Sequence, residues 1–332
     1  MDKTKRLAAA CALAGLGMGS AWAQSAPLRT VSSDGSVLAP PAAIEAPAAA
    51  GRAFEGERLA GAALDARAEF PARSLGAAEL AAFGQRFRPK RAPWAPRAED
   101  AARPESLIGR DRRFRVLARE SGFPYRAIGQ LSFVQGGQGY LCTGFLISKD
   151  TVVTAGHCVH EGARGNWSRE VKFTPALNGG SAPYGSCSAR RLYAVAQWTE
   201  QGSETHDFGA VKLNCDIGLT TGWFGYYATA GSQAGLSVLV MGYAGDKPAG
   251  TLWGGGGDIV ADDVRKTRYG VDTADGESGA PVIEADRGPS RADCWGTCAV
   301  AIHAYGAAGG SNSGTRINFA VARILTSWRD AP

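Results

Sequence analysis

An all-β protein closed by one C-terminal α-helix is the fold class this sequence predicts, on three observations. From Ser106 onward, short runs rich in Val, Ile, Phe and Tyr alternate with clusters of Gly, Asn, Asp and Ser. No strand–helix–strand rhythm interrupts them, which is the pattern of a sandwich or barrel. At the end the period changes, and Val321, Ile324, Leu325 and Trp328 recur at helical spacing.

The elements follow in chain order. Lys3, Lys5 and Arg6 precede an apolar run from Leu7 to Met18, and Ala21-Trp22-Ala23 supplies the small-x-small pattern of a signal-peptidase site. Residues 1–23 therefore read as a secretory signal peptide cut after Ala23, and the product is expected to be secreted, to the medium or the periplasm. The run is shorter than the roughly 20 residues a membrane anchor needs, so no membrane segment is expected in the mature form. Residues 24–105 are dominated by Ala, Pro, Arg and Glu, with prolines at 40, 41, 47, 89, 93 and 96 that break any long helix. A short helical patch around Ala77 to Phe83 is compatible with them. So few large apolar side chains cannot build a core, and this stretch is expected to be a pro-segment, largely irregular. Residues 106–332 then form the main domain. Strands are expected at Arg126–Phe133, Thr143–Ile147, Thr151–Thr154, Val171–Thr174, Phe208–Leu213, Ser237–Tyr243, Pro281–Ile283 and Val300–His303.

Composition narrows the function classes. Across 332 residues the chain is 45% hydrophobic and 20% charged, ordinary for a soluble protein, with a net charge of +5. That charge is not gathered into a run, which argues against nucleic acid as a dedicated partner. Only four histidines are present, so neither a metal cluster nor a cofactor is expected. Of the seven cysteines, Cys11 falls in the signal peptide. The other six, Cys142, Cys158, Cys187, Cys215, Cys294 and Cys298, read as three disulfides of an exported protein. Their number alone leaves the pairing open.

Three motifs carry chemistry. Thr154-Ala155-Gly156-His157-Cys158 closes a short strand, where a histidine can offer its ring to a cleft. Cys142 lies 16 positions before Cys158, and a bridge between them would clamp the loop bearing His157, a closure that contributes about 3 kcal/mol on chain-entropy grounds. Gly276-Glu277-Ser278-Gly279-Ala280-Pro281 offers a serine among small residues. A serine hydroxyl needs a base within hydrogen-bond reach, and the amides of Gly276 and Ser278 can face the oxygen that turns negative on attack. Asp207 opens the alternating run Phe208 to Leu213 and is the expected carboxylate partner of His157, fixing its tautomer. Asp216 and the pair Asp262-Asp263 are its rivals, in turn-like surroundings.

With these motifs in view the sequence resembles the chymotrypsin-like serine proteases, and within them the bacterial glutamyl endopeptidases. The likeness runs from about Ser106 to the C-terminus. It includes Phe123 to Ile128, the histidine motif, Gly242 to Gly250, Asp272-Thr273, Ile302-His303 and Gly309 through Ile317. The resemblance implies two six-stranded antiparallel β-barrels with His157 and Asp207 on the first and Ser278 on the second. It implies a serine endopeptidase acting on polypeptides with acidic residues, expected to be a monomer. A staple between Cys294 and Cys298, close in sequence, is also implied, and Cys187 and Cys215 are then left as the third pair.

The resemblance further implies that His303 and Thr273 receive an acidic substrate side chain, which forfeits several kcal/mol of hydration unless donors meet it. A competing reading is a trypsin-like enzyme with Asp272, six positions before Ser278, binding Lys or Arg. The two exclude each other, since carboxylates about 4 Å apart repel by about 4 kcal/mol at an effective dielectric near 20. A non-catalytic binding protein on the same scaffold is a second alternative, which the intact triad disfavours. Ser106-Leu107-Ile108-Gly109 resembles the mature start of the family, and Glu105 precedes it, so an enzyme specific for glutamate could release itself. Glu277 departs from this branch, which carries an uncharged residue there. Three readings of it stay open: pairing with the new α-amino group, pairing with an arginine such as Arg110, or disfavouring acidic side chains near the site.

Overall fold

Buried β-branched and aromatic side chains build the strands that carry the site. The structure, a computed structural model, describes residues 27–36, 38, 52–54, 73–74, 87–90, 107–117, 122–285, 297–306 and 310–332. Ala23, Glu105, Ser106, Cys294 and the patch from Ala77 to Phe83 lie outside the described residues.

Six strands form a first barrel: β1 (Ile128–Gln135), β2 (Gln138–Leu146), β3 (Thr151–Thr154), β4 (Arg169–Pro175), β5 (Cys187–Val195) and β6 (Gly209–Leu213). They pair antiparallel in the order β1-β2-β3-β6-β5-β4, and β4 returns to β1, closing the sheet. A second set comprises β7 (Ser237–Gly242), β8 (Trp253–Asp262), β9 (Lys266–Tyr269), β10 (Pro281–Glu284), β11 (Cys298–Tyr305) and β12 (Asn312–Arg316). It closes through the same connectivity, β7-β8-β9-β12-β11-β10 and back to β7. The chain is thus two closed six-stranded antiparallel barrels of one topology. Short strands from the region before residue 106 dock on both. Thr30–Ser32 pairs with β5, Arg52–Phe54 with Tyr226–Ala228, and Phe87–Pro89 runs parallel to β2.

Strand boundaries moved where turns intervened. The expected start at Arg126 gives way to the 3-10 turn Tyr125–Ala127, and β2 begins at Gln138 because Gly136 and Gly137, at φ of +54° and +79°, complete a tight turn after β1. Four of the twelve barrel strands, β5, β8, β9 and β12, were not expected. In β8, Trp-Gly-Gly-Gly-Gly-Asp-Ile-Val-Ala-Asp reads as a loop by propensity. Yet a Cβ on Gly257 would stand 2.6 Å from the carbonyl oxygen of Gly270, so close backbone approach selects glycine there. β12, Asn-Ser-Gly-Thr-Arg, is polar but wholly buried.

The C-terminal helix, Phe319–Asp330, forms as its spacing predicts. Asn318 caps it by accepting the Val321 amide at 2.9 Å. Val321, Ile324, Leu325 and Trp328 are buried on its inner face. Trp328 stacks on Tyr193 of β5, with ring centroids 6.1 Å apart, and meets Phe208 at 5.4 Å. Its neighbour Phe208 follows Asp207, so this packing braces the first barrel just behind the cleft.

Candidate active site

β3 is Thr-Val-Val-Thr and buried throughout, and it delivers the chain into the one-turn helix Gly156–Val159 that bears His157. The disulfide Cys142–Cys158 ties that turn to β2, with the Cα atoms 6.3 Å apart. Asp207 sits between the 3-10 turn Glu204–His206 and β6, fully buried. Its Oδ1 accepts the His157 amide at 2.8 Å, and its Oδ2 meets His157 Nδ1 at 2.7 Å. A buried carboxylate against Nδ1 accepts the hydrogen bond of the Nδ1–H and leaves Nε2 as the basic position of the neutral ring. Trp198 and Tyr305 flank the imidazole, each with its ring centroid 6.4 Å away. The rival carboxylates are committed elsewhere: Asp216 pairs with Lys149 at the surface and Asp262 with Arg316.

Ser278 lies in the loop between β9 and β10, which is stapled to both barrels. Its carbonyl accepts the Thr143 amide of β2 at 2.9 Å, and Thr143 Oγ1 donates to the Gly276 carbonyl at 2.9 Å. On the other side, Gly279 N donates to the His303 carbonyl at 2.7 Å, and His303 N to the Ala280 carbonyl at 2.9 Å. The contact is tight enough to require glycine after the serine. Gly279 has φ of +88°, and a Cβ there would lie 2.1 Å from Thr154 Oγ1 and 3.0 Å from the Ala155 amide nitrogen. The sulfur of Cys158 is 3.8 Å from the Ser278 carbonyl oxygen. The serine loop therefore touches residues on both sides of His157. His157 Nε2 is buried and makes no hydrogen bond, which leaves its lone pair uncommitted. The amides of Gly276 and Ser278 donate to no acceptor among the described residues.

His303, on β11, is buried beneath this loop and bonds Tyr269 Oη through Nδ1 at 2.6 Å. Burial, with the charges of His157 and Lys266, pulls its pKa down to about 3. The ring is neutral in the working range and carries one proton. Tyr269 finds no other acceptor among the described residues, so its hydroxyl donates to Nδ1 and the proton of His303 is left on Nε2. Thr273 is fully buried, and its hydroxyl makes no hydrogen bond. Asp272, by contrast, is engaged within the chain: Oδ1 accepts the Ile108 amide at 2.6 Å and Oδ2 the Arg112 amide at 3.1 Å, with the Arg112 guanidinium 3.8 Å from Oδ2.

Glu277 pairs with Arg113, not with Arg110. Tyr269, Arg113 and Thr143 were missed in the sequence. Each acts from a strand or segment remote in the chain, and no local motif marks it. Cys187–Cys215 is bridged, with Cα atoms 6.0 Å apart, and Cys298 is disulfide-bonded. Cys142, His157 and Cys158 are close enough to hold a metal ion. Both sulfurs are spent in their disulfide and Nδ1 on Asp207, however, so the cluster lacks the thiolates a metal would need.

Similarity to known proteins agrees with this geometry. The Trypsin family profile matches residues 118–328. A glutamyl endopeptidase of Bacillus licheniformis is 41% identical over 229 residues, 68% of this chain and 70% of that one. A Bacillus subtilis protein named an extracellular metalloprotease is 40% identical over 230 residues, with the same shares covered. Among solved structures, a Glu endopeptidase in complex with MPD superposes with a TM-score of 0.59 at 26% identity, over 67% of this chain and 99% of that one.

Proposed function

We propose, from the premise that this chain belongs to the trypsin family of serine proteases, that it is an endopeptidase hydrolysing peptide bonds after glutamate and, less well, aspartate. One observation carries the choice of substrate. The carboxylate that could have bound Lys or Arg, Asp272, spends both oxygens on backbone amides, while His303 Nε2–H and the Thr273 hydroxyl keep donors for an incoming carboxylate.

In the reaction His157 Nε2 takes the hydroxyl proton of Ser278 as Oγ bonds to the scissile carbonyl carbon. The carbonyl oxygen becomes an oxyanion facing the amides of Gly276 and Ser278, and Asp207 stabilises the imidazolium. Collapse expels the amine, which receives the proton from His157 and leaves an acyl-enzyme. Water, deprotonated by the same nitrogen, then attacks the ester and regenerates Ser278. The residues supply every proton transfer in this cycle.

The test compares matched peptides that differ only in Glu, Asp or Arg before the scissile bond, on enzyme whose Ser278 has been titrated with a fluorophosphonate. Glu is expected to lead Arg by at least about 100-fold in kcat/KM. Preference for Arg would favour the trypsin-like reading, and a Ser278 that resists labelling would favour a binding protein.

The same proposal covers processing and location. Residues 1–23 serve as signal peptide, residues 24–105 as pro-segment and residues 106–332 as the protease domain, acting as a monomer on polypeptides outside the cytoplasm. The Bacillus subtilis relative is named an extracellular metalloprotease, and no helix among the described residues is long and apolar enough to cross a membrane. N-terminal sequencing of active enzyme is expected to begin at Ser106, with cleavage after Glu105 abolished in a Ser278→Ala precursor. A different start would break the link between specificity and maturation.

A further inference from the structure

A buried charge cluster beside the nucleophile has no part in the chemistry above. Glu277 is fully buried, and its Oε2 accepts the Ala274 amide at 2.6 Å and Arg113 Nη1 at 3.4 Å. The Arg113 side chain is 0% exposed. Two carboxylates fix its other donors: Asp111 accepts from Nε at 3.0 Å and from Nη2 at 3.1 Å, and Asp246 accepts from Nη1 at 3.0 Å and Nη2 at 2.5 Å. Arg113 immediately precedes Phe114–Arg115, which pairs with β8, so its backbone is anchored to the second barrel. The same segment donates the Ile108 and Arg112 amides to Asp272. Residues 108–113 thus hold both ends of the loop from Asp272 to Ser278.

We infer that Arg113 is a positioning residue for acyl transfer: by holding Glu277 it keeps the amides of Gly276 and Ser278 aimed at the oxyanion. The inference rests on the reading of Ser278 as nucleophile. The turn is closed twice, by the Glu277 amide on the Ala274 carbonyl at 3.0 Å and by the Ala274 amide on the Glu277 carboxylate. Gly276, at φ of +94°, is enclosed by those two bonds. Glu277 cannot shift sideways, because β7 walls it in: a Cβ on Gly242 would lie 2.9 Å from its Cγ. Without Arg113 the carboxylate must bind a proton or swing toward water, and in swinging it carries the Gly276–Glu277 peptide with it.

The groups facing Glu277 are Arg113 and Asp246, with the Tyr269 phenol of β9 on its other side and Asp111 and Lys247 behind the guanidinium. Burial pushes the Glu277 pKa up to about 8, opposed chiefly by Arg113 and then by the Ala274 amide. Removing Arg113 raises it further. The closed loop would then hold a proton that an open loop, titrating near the usual 4.5, releases. The closed state is therefore favoured at low pH and lost as pH rises.

The experiment uses the full chain, matured by its own processing, with steady-state kinetics on a glutamyl peptide across pH. Arg113→Met is expected to lower kcat on the order of 100-fold at about pH 8, with KM within roughly 3-fold of the parent. Its kcat is expected to go on falling with rising pH above about 8, where that of the parent, whose closed loop already titrates near 8, has levelled. Adding Glu277→Gln removes the titrating group, and the double variant Arg113→Met/Glu277→Gln is expected to recover to within about 5-fold of the parent at about pH 8 and to lose the fall with rising pH. Asp111 retains Lys247, and Asp246 is partly exposed, so neither requires Arg113 in the double variant. Parent-like kcat in Arg113→Met, or a double variant as impaired as the single, overturns the inference. If Arg113→Met does not fold, Glu277→Gln is compared with the double variant. Equal rates support the coupling, and an active single beside an inactive, folded double overturns it. Fluorophosphonate labelling of parental Ser278 in the same preparations separates this failure from failure of the nucleophile assignment.

Discussion

Replacing Ser278 by alanine is expected to lower kcat on a glutamyl peptide by about 10⁶-fold, and His157→Ala, alone or combined with Ser278→Ala, by about the same factor. The hydroxyl and the imidazole act as one unit: Oγ is a nucleophile only when Nε2 removes its proton. Once either is gone the other has nothing to act on, so the losses do not multiply. What remains is the contribution of the Gly276 and Ser278 amides and of substrate binding, about 10³-fold over water. Both variants keep the packing that holds the loop, because the staples from Thr143 and His303 run through backbone groups. Circular dichroism and thermal unfolding should therefore match the parent. A variant retaining more than about one per cent of parental kcat, or a double variant far slower than either single, would remove these residues from the centre of the mechanism.

His303→Val is expected to cost about 10³-fold in kcat/KM for peptides with Glu before the scissile bond, about 4 kcal/mol, and to leave the slow cleavage of a matched Leu peptide nearly unchanged. The size follows from burial. His303 is neutral, its pKa drawn down to about 3, and in the proposed pocket its Nε2–H would meet the substrate carboxylate where water cannot replace it. A carboxylate brought into that site without the donor loses its hydration and gains only the Thr273 hydroxyl. Valine keeps the strand propensity of β11 and most of the volume, so stability should change little relative to the loss of specificity. The measurement is a ratio of kcat/KM values for Glu and Leu peptides. An unchanged ratio would move the acidic-residue pocket away from His303.

The proposed catalytic residues were legible because each belongs to a local motif whose chemistry shows in a few neighbouring positions. Thr154 to Cys158 and Gly276 to Pro281 announce a strand-end histidine and a serine among glycines, and Asp207 opens a strand with the alternation that buries it. The supporting residues had no such signal. Tyr269 is a tyrosine in Lys-Thr-Arg-Tyr, and Arg113 one of several arginines in a basic stretch. Their roles come from meeting His303 and Glu277 across other strands. Glu277 itself was noticed, but its partner lies 164 residues away, and the choice between Arg110 and Arg113 depends on which of them faces inward. The Gly-rich β8 was missed for a related reason. Propensity weighs side chains against solvent, whereas Gly257 answers to a neighbouring backbone and Gly254 and Gly255 to packed side chains of Met241 and Val271.

From residue order alone came the all-β class, the C-terminal helix, the reaction type and the proposal of Ser278, His157 and Asp207 as nucleophile, base and carboxylate, because local periodicity and short motifs encode them within a few turns of chain. Closure of two barrels with one connectivity, the direction in which Asp272 points, and the tautomer of His303 emerged from folding. These depend on which distant groups share a buried space, and there the energy of a carboxylate or an imidazole depends on its partners more than on its neighbours in the chain.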